Sequence, residues 1–224
     1  MNSRFSIYLL LTIIMLCLAF NFPGELGALS LVSFVPIFIY FEANSTEKFS
    51  YIKIFFIFFT FGFLYSLLST LWFPAIYPLT WMGIEDGFYS MVVVFGLWVF
   101  LAIFMALPVS FFGFALKKVF VKVNIHSILT ISFVWIILEF SRSLLISFAL
   151  YSDEVLFGPH HTYYSLAYLL PDIPLFKTVL PLGGIYLGSF FILLINFWIF
   201  LLFTKKAEEK SFNYLEINKI KNFG

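Results

Sequence analysis

Ser127-Ile-Leu-Thr-Ile-Ser-Phe-Val-Trp135-Ile-Ile-Leu-Glu139-Phe-Ser-Arg142-Ser-Leu-Leu-Ile-Ser-Phe-Ala149 is long and apolar enough to cross a bilayer, yet it holds two formal charges well inside the run. Each charge costs about 2.5–3.5 kcal/mol near the bilayer centre on insertion scales, so the pair needs a partner or a purpose. Three positions apart on a helix, Glu139 and Arg142 share one face with Cβ atoms about 5–6 Å apart, close enough to pair with each other. Two readings follow. The pair neutralises itself and locks helix packing, or it contacts a substrate directly.

Composition extends this reading to the whole chain. Of 224 residues, 62% are hydrophobic and 11% charged, and the mean hydropathy is +1.02. An ordinary soluble domain is nearer ~45–50% apolar and ~25% charged. The chain therefore reads as an all-α, polytopic integral membrane protein, its apolar excess carried by 34 phenylalanines with isoleucine and leucine beside them. A net charge of +1, with no basic stripe of interleaved aromatics, excludes a nucleic-acid partner. Cys17 is the single cysteine, so no internal disulfide forms; its apolar neighbours offer no His or acid, which points to packing rather than reactivity. Arg4 ahead of the apolar Ile7–Phe20 run imitates a secretory leader. However, Ala19-Phe-Asn-Phe-Pro23 lacks a small-x-small cleavage site and more spans follow, so the segment reads as a retained first span.

Taking ~20 apolar residues as the length that crosses a ~30 Å core, six spans fall near 5–22, 26–41, 53–73, 88–116, 127–149 and 179–204. The first two are short and separated by Pro23-Gly24-Glu25, a tight hairpin for which a re-entrant pair is the alternative. The fourth, about 29 residues or ~43 Å if straight, implies tilt or a bend, and Pro108 supplies a cause. Six spans put Arg4, Lys48, Lys53, Lys117, Lys118, Lys122, Lys205, Lys206, Lys210, Lys219 and Lys221 on one side and only Lys177 on the other. Both termini are thus expected to be cytoplasmic. Glu25, Glu85, Asp86, Asp153, Glu154 and Asp172 fall on the opposite face. With no low-complexity linker or internal repeat, residues 1–204 read as one membrane domain and 205–224 as a charged cytoplasmic tail. The glycosylation acceptor Asn44-Ser-Thr46 then lies on the cytoplasmic side and carries no meaning.

Two outer segments are richer than turns require. Residues 74–87 combine Tyr77 and Trp81 with two prolines, a composition suited to the head-group zone. Residues 150–178 form the longest connection; Tyr151, Phe157, Tyr163, Tyr164 and Tyr168, with Pro159, Pro171 and Pro174, predict a folded interfacial loop with a short helix around Tyr163–Leu170. His160-His161 lacks a third ligand, so no metal is expected, and Asp153-Glu154 reads as an exposed polar loop. His126 reads as interfacial, at the inner mouth of the fifth span. No cofactor is expected. Gly184-x-x-x-Gly188 is the small-residue spacing that lets helices approach closely, and Asn196 needs a hydrogen-bond partner in lipid, most simply another helix. Ser141 and Ser143 flank Arg142 without a histidine or second acid, so a serine nucleophile is unsupported.

Four ordered motifs then matter together: Leu18-Ala-Phe-Asn-Phe-Pro-Gly-Glu-Leu-Gly-Ala-Leu-Ser-Leu-Val-Ser-Phe-Val-Pro36; a span ending in Leu71-Trp72; Trp135-x3-Glu139-x2-Arg142; and Pro174-Leu-Phe-Lys-Thr-Val-Leu-Pro-Leu-Gly-Gly-Ile-Tyr-Leu-Gly-Ser-Phe190. In this order, over roughly residues 5–204, the chain resembles the N-terminal membrane domain of apolipoprotein N-acyltransferase. It departs from the family at Ser143, where glycine is usual, and at 150–173, where Ala167-Tyr168 is the nearest match to a compact Gly-Tyr turn.

The resemblance implies a multi-pass protein of the bacterial plasma membrane, with phospholipid and diacylated lipoprotein as partners in lipoprotein maturation. It implies Arg142 as an anion contact and Glu139 as its orienting partner, with Trp135 and Tyr168 completing the candidate substrate contacts. In that family an extracytoplasmic nitrilase-like domain carries a Glu-Lys-Cys triad that takes an acyl chain as a thioester and passes it to the lipoprotein's N-terminal cysteine. This sequence offers no such triad, and the family would add a further span before that domain. The chain as given is therefore expected to bind lipid without performing the transfer alone, the chemistry coming from a domain beyond Gly224 or from a separate catalytic chain. The alternative is a small six-span transporter or solute-binding membrane subunit.

Overall fold

In hydrocarbon no water is available to an unpaired peptide group, so apolar runs of this length close their hydrogen bonds locally, as helices. The computed structural model describes residues 3–43, 49–121, 123, 125–149, 158, 162, 164–170 and 173–221. Among them there is no strand. The helices are α1 (Ser3–Asn21), α2 (Pro23–Leu26), α3 (Val35–Ala43), α4 (Tyr51–Ser69), α5 (Gly87–Val119), α6 (Ile125–Ala149) and α7 (Pro174–Lys221). The chain is an all-α polytopic membrane protein. Among the described residues, the segments Pro23–Ala43, Tyr51–Ser69, Gly87–Val119, His126–Phe148 and Leu180–Thr204 are long and apolar enough to cross a bilayer, and Ser6–Asn21 is apolar but shorter.

Side chains at the helix entries close backbone groups the helices leave open. Ser50 Oγ accepts from Lys53 N (3.2 Å) at the start of α4, and Asp86 Oδ1 accepts from Tyr89 N (2.7 Å) at the start of α5. Lys117 and Lys118 occupy the last turn of α5, where cations favour the helix dipole. α4 and α5 pack antiparallel, and glycine sets their approach. A Cβ on Gly62 would stand 2.9 Å from the Ala106 Cα, and one on Gly113 would run into the Phe58 ring. Pro108 lies within α5, one turn beyond Phe104, whose carbonyl it cannot satisfy.

The second span departs from the continuous helix expected over 26–41. It is broken into α2, a 3-10 turn over Gly27–Leu31, and α3 beginning at Val35. Hydropathy does not register the cause. Ser30 Oγ donates to Gly27 O (2.7 Å) and Ser33 Oγ to Ser30 O (3.0 Å), so both hydroxyls compete for the backbone. Asn196 of α7 closes the gap: Phe34 N donates to its Oδ1 (2.8 Å), and its Nδ2 donates to the carbonyls of Ser30 (2.7 Å) and Ile192 (2.9 Å). Irregular backbone at membrane depth persists only where protein satisfies it in this way.

α3 sits at the centre of the core. Phe34 meets Trp135 of α6 edge-on with ring centroids 5.2 Å apart, and Trp135 meets Phe112 of α5 at 4.8 Å. Nearer the lysine-rich end, Phe38 lies 5.4 Å from Phe197 and Phe120 lies 5.5 Å from Phe200, which ties α3, α5 and α7 together. Such edge-to-face pairs add about 0.5–1.5 kcal/mol each beyond the burial of their area.

The last span, expected over 179–204, belongs to a longer helix that continues past Thr204 to Lys221. It is interrupted at Gly183 (φ −150°, ψ 15°) and Gly184 (φ 66°, ψ −163°). Residues 74–87 form 3-10 turns over Phe73–Ile76 and Leu79–Met82. The short helix expected around Tyr163–Leu170 is a 3-10 turn over Leu166–Leu169. Tyr151, Asp153, Glu154, Phe157, Pro159, His160, His161, Tyr163, Pro171 and Asp172 lie outside the described residues, as do Lys48, Lys122 and the Asn44-Ser-Thr46 sequence.

Candidate functional site

Trp135, Glu139 and Arg142 are buried along one face of α6. Their hydrogen bonds run to other groups rather than to each other's charge. Glu139 Oε1 accepts from Trp135 Nε1 (2.8 Å), one turn back, and from Leu166 N (2.9 Å) in the outer connection. Arg142 Nη2 donates to Ser165 Oγ at 3.4 Å, a long contact. The two charges still attract through space. Glu139 Oε2 and Arg142 Nε are buried with no hydrogen-bond partner, and Ser143 Oγ and Tyr65 OH share that condition.

The segment that reaches these charges is itself deeply buried. Ser165, Leu166, Ala167, Leu169 and Leu170 are sealed from solvent, and Tyr164 holds a left-handed backbone (φ 65°) that side-chain-bearing residues rarely adopt. Phe20 of α1 stacks on the Tyr164 ring at 5.7 Å. Two glycines make the insertion possible. A Cβ on Gly27 would collide with the Leu169 carbonyl, and one on Gly188 would stand 2.7 Å from the Ala167 Cβ. Ser189 Oγ then accepts from Ala167 N (3.2 Å), anchoring the turn to α7.

Between α5 and α6, level with Pro108, Glu139 and Arg142 border a narrow cleft with a cavity volume of about 20 Å³ whose other walls are Met105, Pro108, Val109, Trp135 and Leu138. It is an apolar slot with one carboxylate and one guanidinium at its polar end.

Tyr168 stands apart from this cluster. It is exposed, and its hydroxyl pairs with Thr162 Oγ1 at 2.8 Å. At Gly184 a Cβ would meet nothing within 4 Å, whereas Gly188 faces Ala167. Cys17 is half-buried in α1 against the aromatic core. Among the described residues no group of three His, Cys, Asp or Glu side chains could hold a metal ion. Sequence reading missed Ser165, the Leu166 N–H and Ser189. The length and aromatic content of 150–178 predicted a folded interfacial loop, whereas Ser165, Leu166, Ala167, Leu169 and Leu170 are buried against the helices.

A family model matches residues 14–198, most of the chain, and its description is apolipoprotein N-acyltransferase N-terminal domain. The chain belongs to this family. Among curated proteins and solved structures, none matches the chain. Within this apolipoprotein N-acyltransferase N-terminal domain, the match takes in the broken second span, the cleft between α5 and α6, and the Glu139–Arg142 centre.

Proposed function

We propose that this domain serves phospholipid-to-lipoprotein N-acyl transfer at a bacterial plasma membrane by binding its lipid substrates. The reaction itself falls to a catalytic domain carried on a continuation of this chain or on a separate one. Residues 1–204 act as the six-span lipid-binding unit, with both termini and the charged segment from Lys205 on the cytoplasmic side.

The observation that carries the reading is the orphaned Arg142 Nε beside an apolar cleft. A buried guanidinium with an unused donor is costly in hydrocarbon, and an amphiphile's phosphate or carboxylate offers the charge-assisted acceptor it lacks. The narrow cleft opens an apolar surface of α5 and α6 against which an acyl segment can lie, and Glu139, fixed by Trp135 and Leu166 N, orients Arg142. Trp135, a wall of the cleft, and Tyr168, exposed on the outer connection away from it, complete the proposed lipid contacts. A transporter would be supported by interrupted helices lining a polar midplane cavity. Here the interruption of the second span is closed by Asn196, and the break at Gly183 and Gly184 lies at the beginning of the last span rather than at its middle, so neither lines a polar midplane cavity.

The test is mass spectrometry of lipid retained by purified Arg142→Ala and Arg142→Lys proteins. Loss of bound phospholipid in Arg142→Ala at similar folded yield, with partial retention in Arg142→Lys, is expected. Lipid content equal to that of the parent refutes the role of Arg142.

A further inference from the structure

Tyr65, near the end of α4, is both fixed and sealed. Its ring stacks on Phe61 with centroids 6.4 Å apart, and Phe20 of α1 meets it edge-on at 6.4 Å. The residue is 5% exposed, and among the described residues its hydroxyl has no hydrogen-bond partner. Burying a hydroxyl in apolar surroundings without an acceptor is costly, and a buried tyrosine ordinarily finds one. Phenylalanine would fill the same space at no such cost. The hydroxyl is therefore a spare donor held in a set place.

That place adjoins the charged centre. Tyr65 lies within electrostatic reach of Arg142 and Glu139 on α6. Phe20, packed on Tyr65, also stacks on Tyr164, and the neighbouring Ser165 takes the 3.4 Å contact from Arg142. Two unpartnered donors, the Tyr65 hydroxyl and Arg142 Nε, thus stand on different helices around one point. Tyr65 lies about 6 Å along α4 from its last residue, and Arg142 about 10 Å along α6 from its last residue. Both donors therefore sit in the half of the membrane away from the lysine-rich end, where one lipid can reach the two together.

The two donors suit different acceptors. Arg142 is charged and matches a phosphate oxygen. Tyr65 is neutral and walled by aromatic rings. With Glu139 and a lipid phosphate both beside Arg142, a further negative group at Tyr65 would be buried without a cation of its own. A neutral carbonyl escapes that penalty, and a diacyl phospholipid carries ester carbonyls a few atoms from its phosphate. We propose that the Tyr65 hydroxyl donates to an acyl-ester carbonyl of the phospholipid whose phosphate Arg142 holds, so that Tyr65 distinguishes ester-linked from ether-linked lipid. This rests on the proposed function in taking a phospholipid to be bound at Arg142. The lipid takes the place of Ser165 at Arg142, a contact already at the long limit of a hydrogen bond.

The experiment compares a diacyl phosphatidylglycerol with its dialkyl-ether counterpart, identical in head group and chain length, for retention by the full chain in nonionic detergent, read by native mass spectrometry. The parent is expected to retain the diacyl lipid about fivefold better, and Tyr65→Phe to hold the two within about twofold through loss of the diacyl form alone. Equal retention of the two lipids by the parent, or a preference that survives in Tyr65→Phe, overturns the proposal. A stability reading separates the contact from a packing role. Because the hydroxyl is unpartnered, lipid-free Tyr65→Phe is expected to unfold at the parent's temperature or above it. A lower temperature shows a partner within the protein and overturns the proposal. Arg142→Ala should weaken both lipids alike. Unchanged retention in Arg142→Ala refutes the proposed function and this contact with it, whereas loss of both lipids there with the preference intact in Tyr65→Phe refutes the ester contact alone.

Discussion

Replacing Asn196 by leucine, close to it in size, removes the group that closes the gap in the second span. Three hydrogen bonds disappear, to Phe34 N, Ser30 O and Ile192 O, and they do not count equally. Ile192 O lies inside α7, and Ser30 O keeps the Ser33 hydroxyl as a donor. Phe34 N keeps nothing, and Phe34 and Asn196 are fully buried in the core. An orphaned buried donor costs about 1–3 kcal/mol, and bonds between membrane helices average nearer ~0.6 kcal/mol because the unfolded state also finds partners. The net is about 2 kcal/mol, or roughly a thirtyfold shift toward the unfolded state. Reversible unfolding by steric trapping in bicelles measures this directly, and hydrogen exchange at the Phe34 amide should accelerate in parallel. Stability within ~0.3 kcal/mol of the parent, with Phe34 still protected, would refute the reasoning.

Three further outcomes follow from the same contacts. Glu139→Gln keeps an acceptor for Trp135 Nε1 and Leu166 N but withdraws the charge facing Arg142, whereas Glu139→Leu also orphans both donors; on thermal unfolding in detergent the leucine variant should be the less stable by about 1–3 kcal/mol. Gly27→Ala drives a methyl group into the Leu169 carbonyl, a backbone atom that cannot swing away; it should lower the unfolding temperature and raise protease sensitivity around Leu166–Leu170. Gly184→Ala has open space for its Cβ but a backbone near φ 66°, ψ −163°, which only glycine adopts readily; a loss of about 1–3 kcal/mol is expected, while Gly96→Ala, in open helical surroundings, should be neutral or slightly stabilising.

Glu139 and Arg142 are legible from sequence because charge in an apolar run has few explanations, and the helical class follows from runs of bilayer length. The partners of that pair are not legible. Ser165 lies 23 positions from Arg142, and Leu166 lies 27 from Glu139. They are joined by a connection with no period to fix its path. A backbone N–H, moreover, has no signature in a sequence at all. The broken second span fails for a different reason. Hydropathy weighs Ser30 and Ser33 as mild interruptions, while the decisive fact is a single amide side chain, Asn196, in another helix. Asn196 shows that a partner is needed but not which backbone it serves. The same limit applies to Gly184 and Gly188: their spacing is visible, but the torsion of one and the close neighbour of the other appear only once the chain is folded.

The Asn196 clasp also imposes an order on synthesis. Its two bonds to the second span bridge 162 and 166 positions, so the carbonyl of Ser30 and the amide of Phe34 enter the membrane long before Asn196 is translated. Until α7 arrives, the nascent second span must use other partners. A regular helix through 31–34, a transient grip on water, or the inserting machinery could each satisfy it. Its native kink is thus among the last features to form, and the core packed around Phe34 cannot become final until the chain is nearly complete. Termination anywhere before Asn196 would leave the Phe34 amide and the Ser30 carbonyl without this clasp.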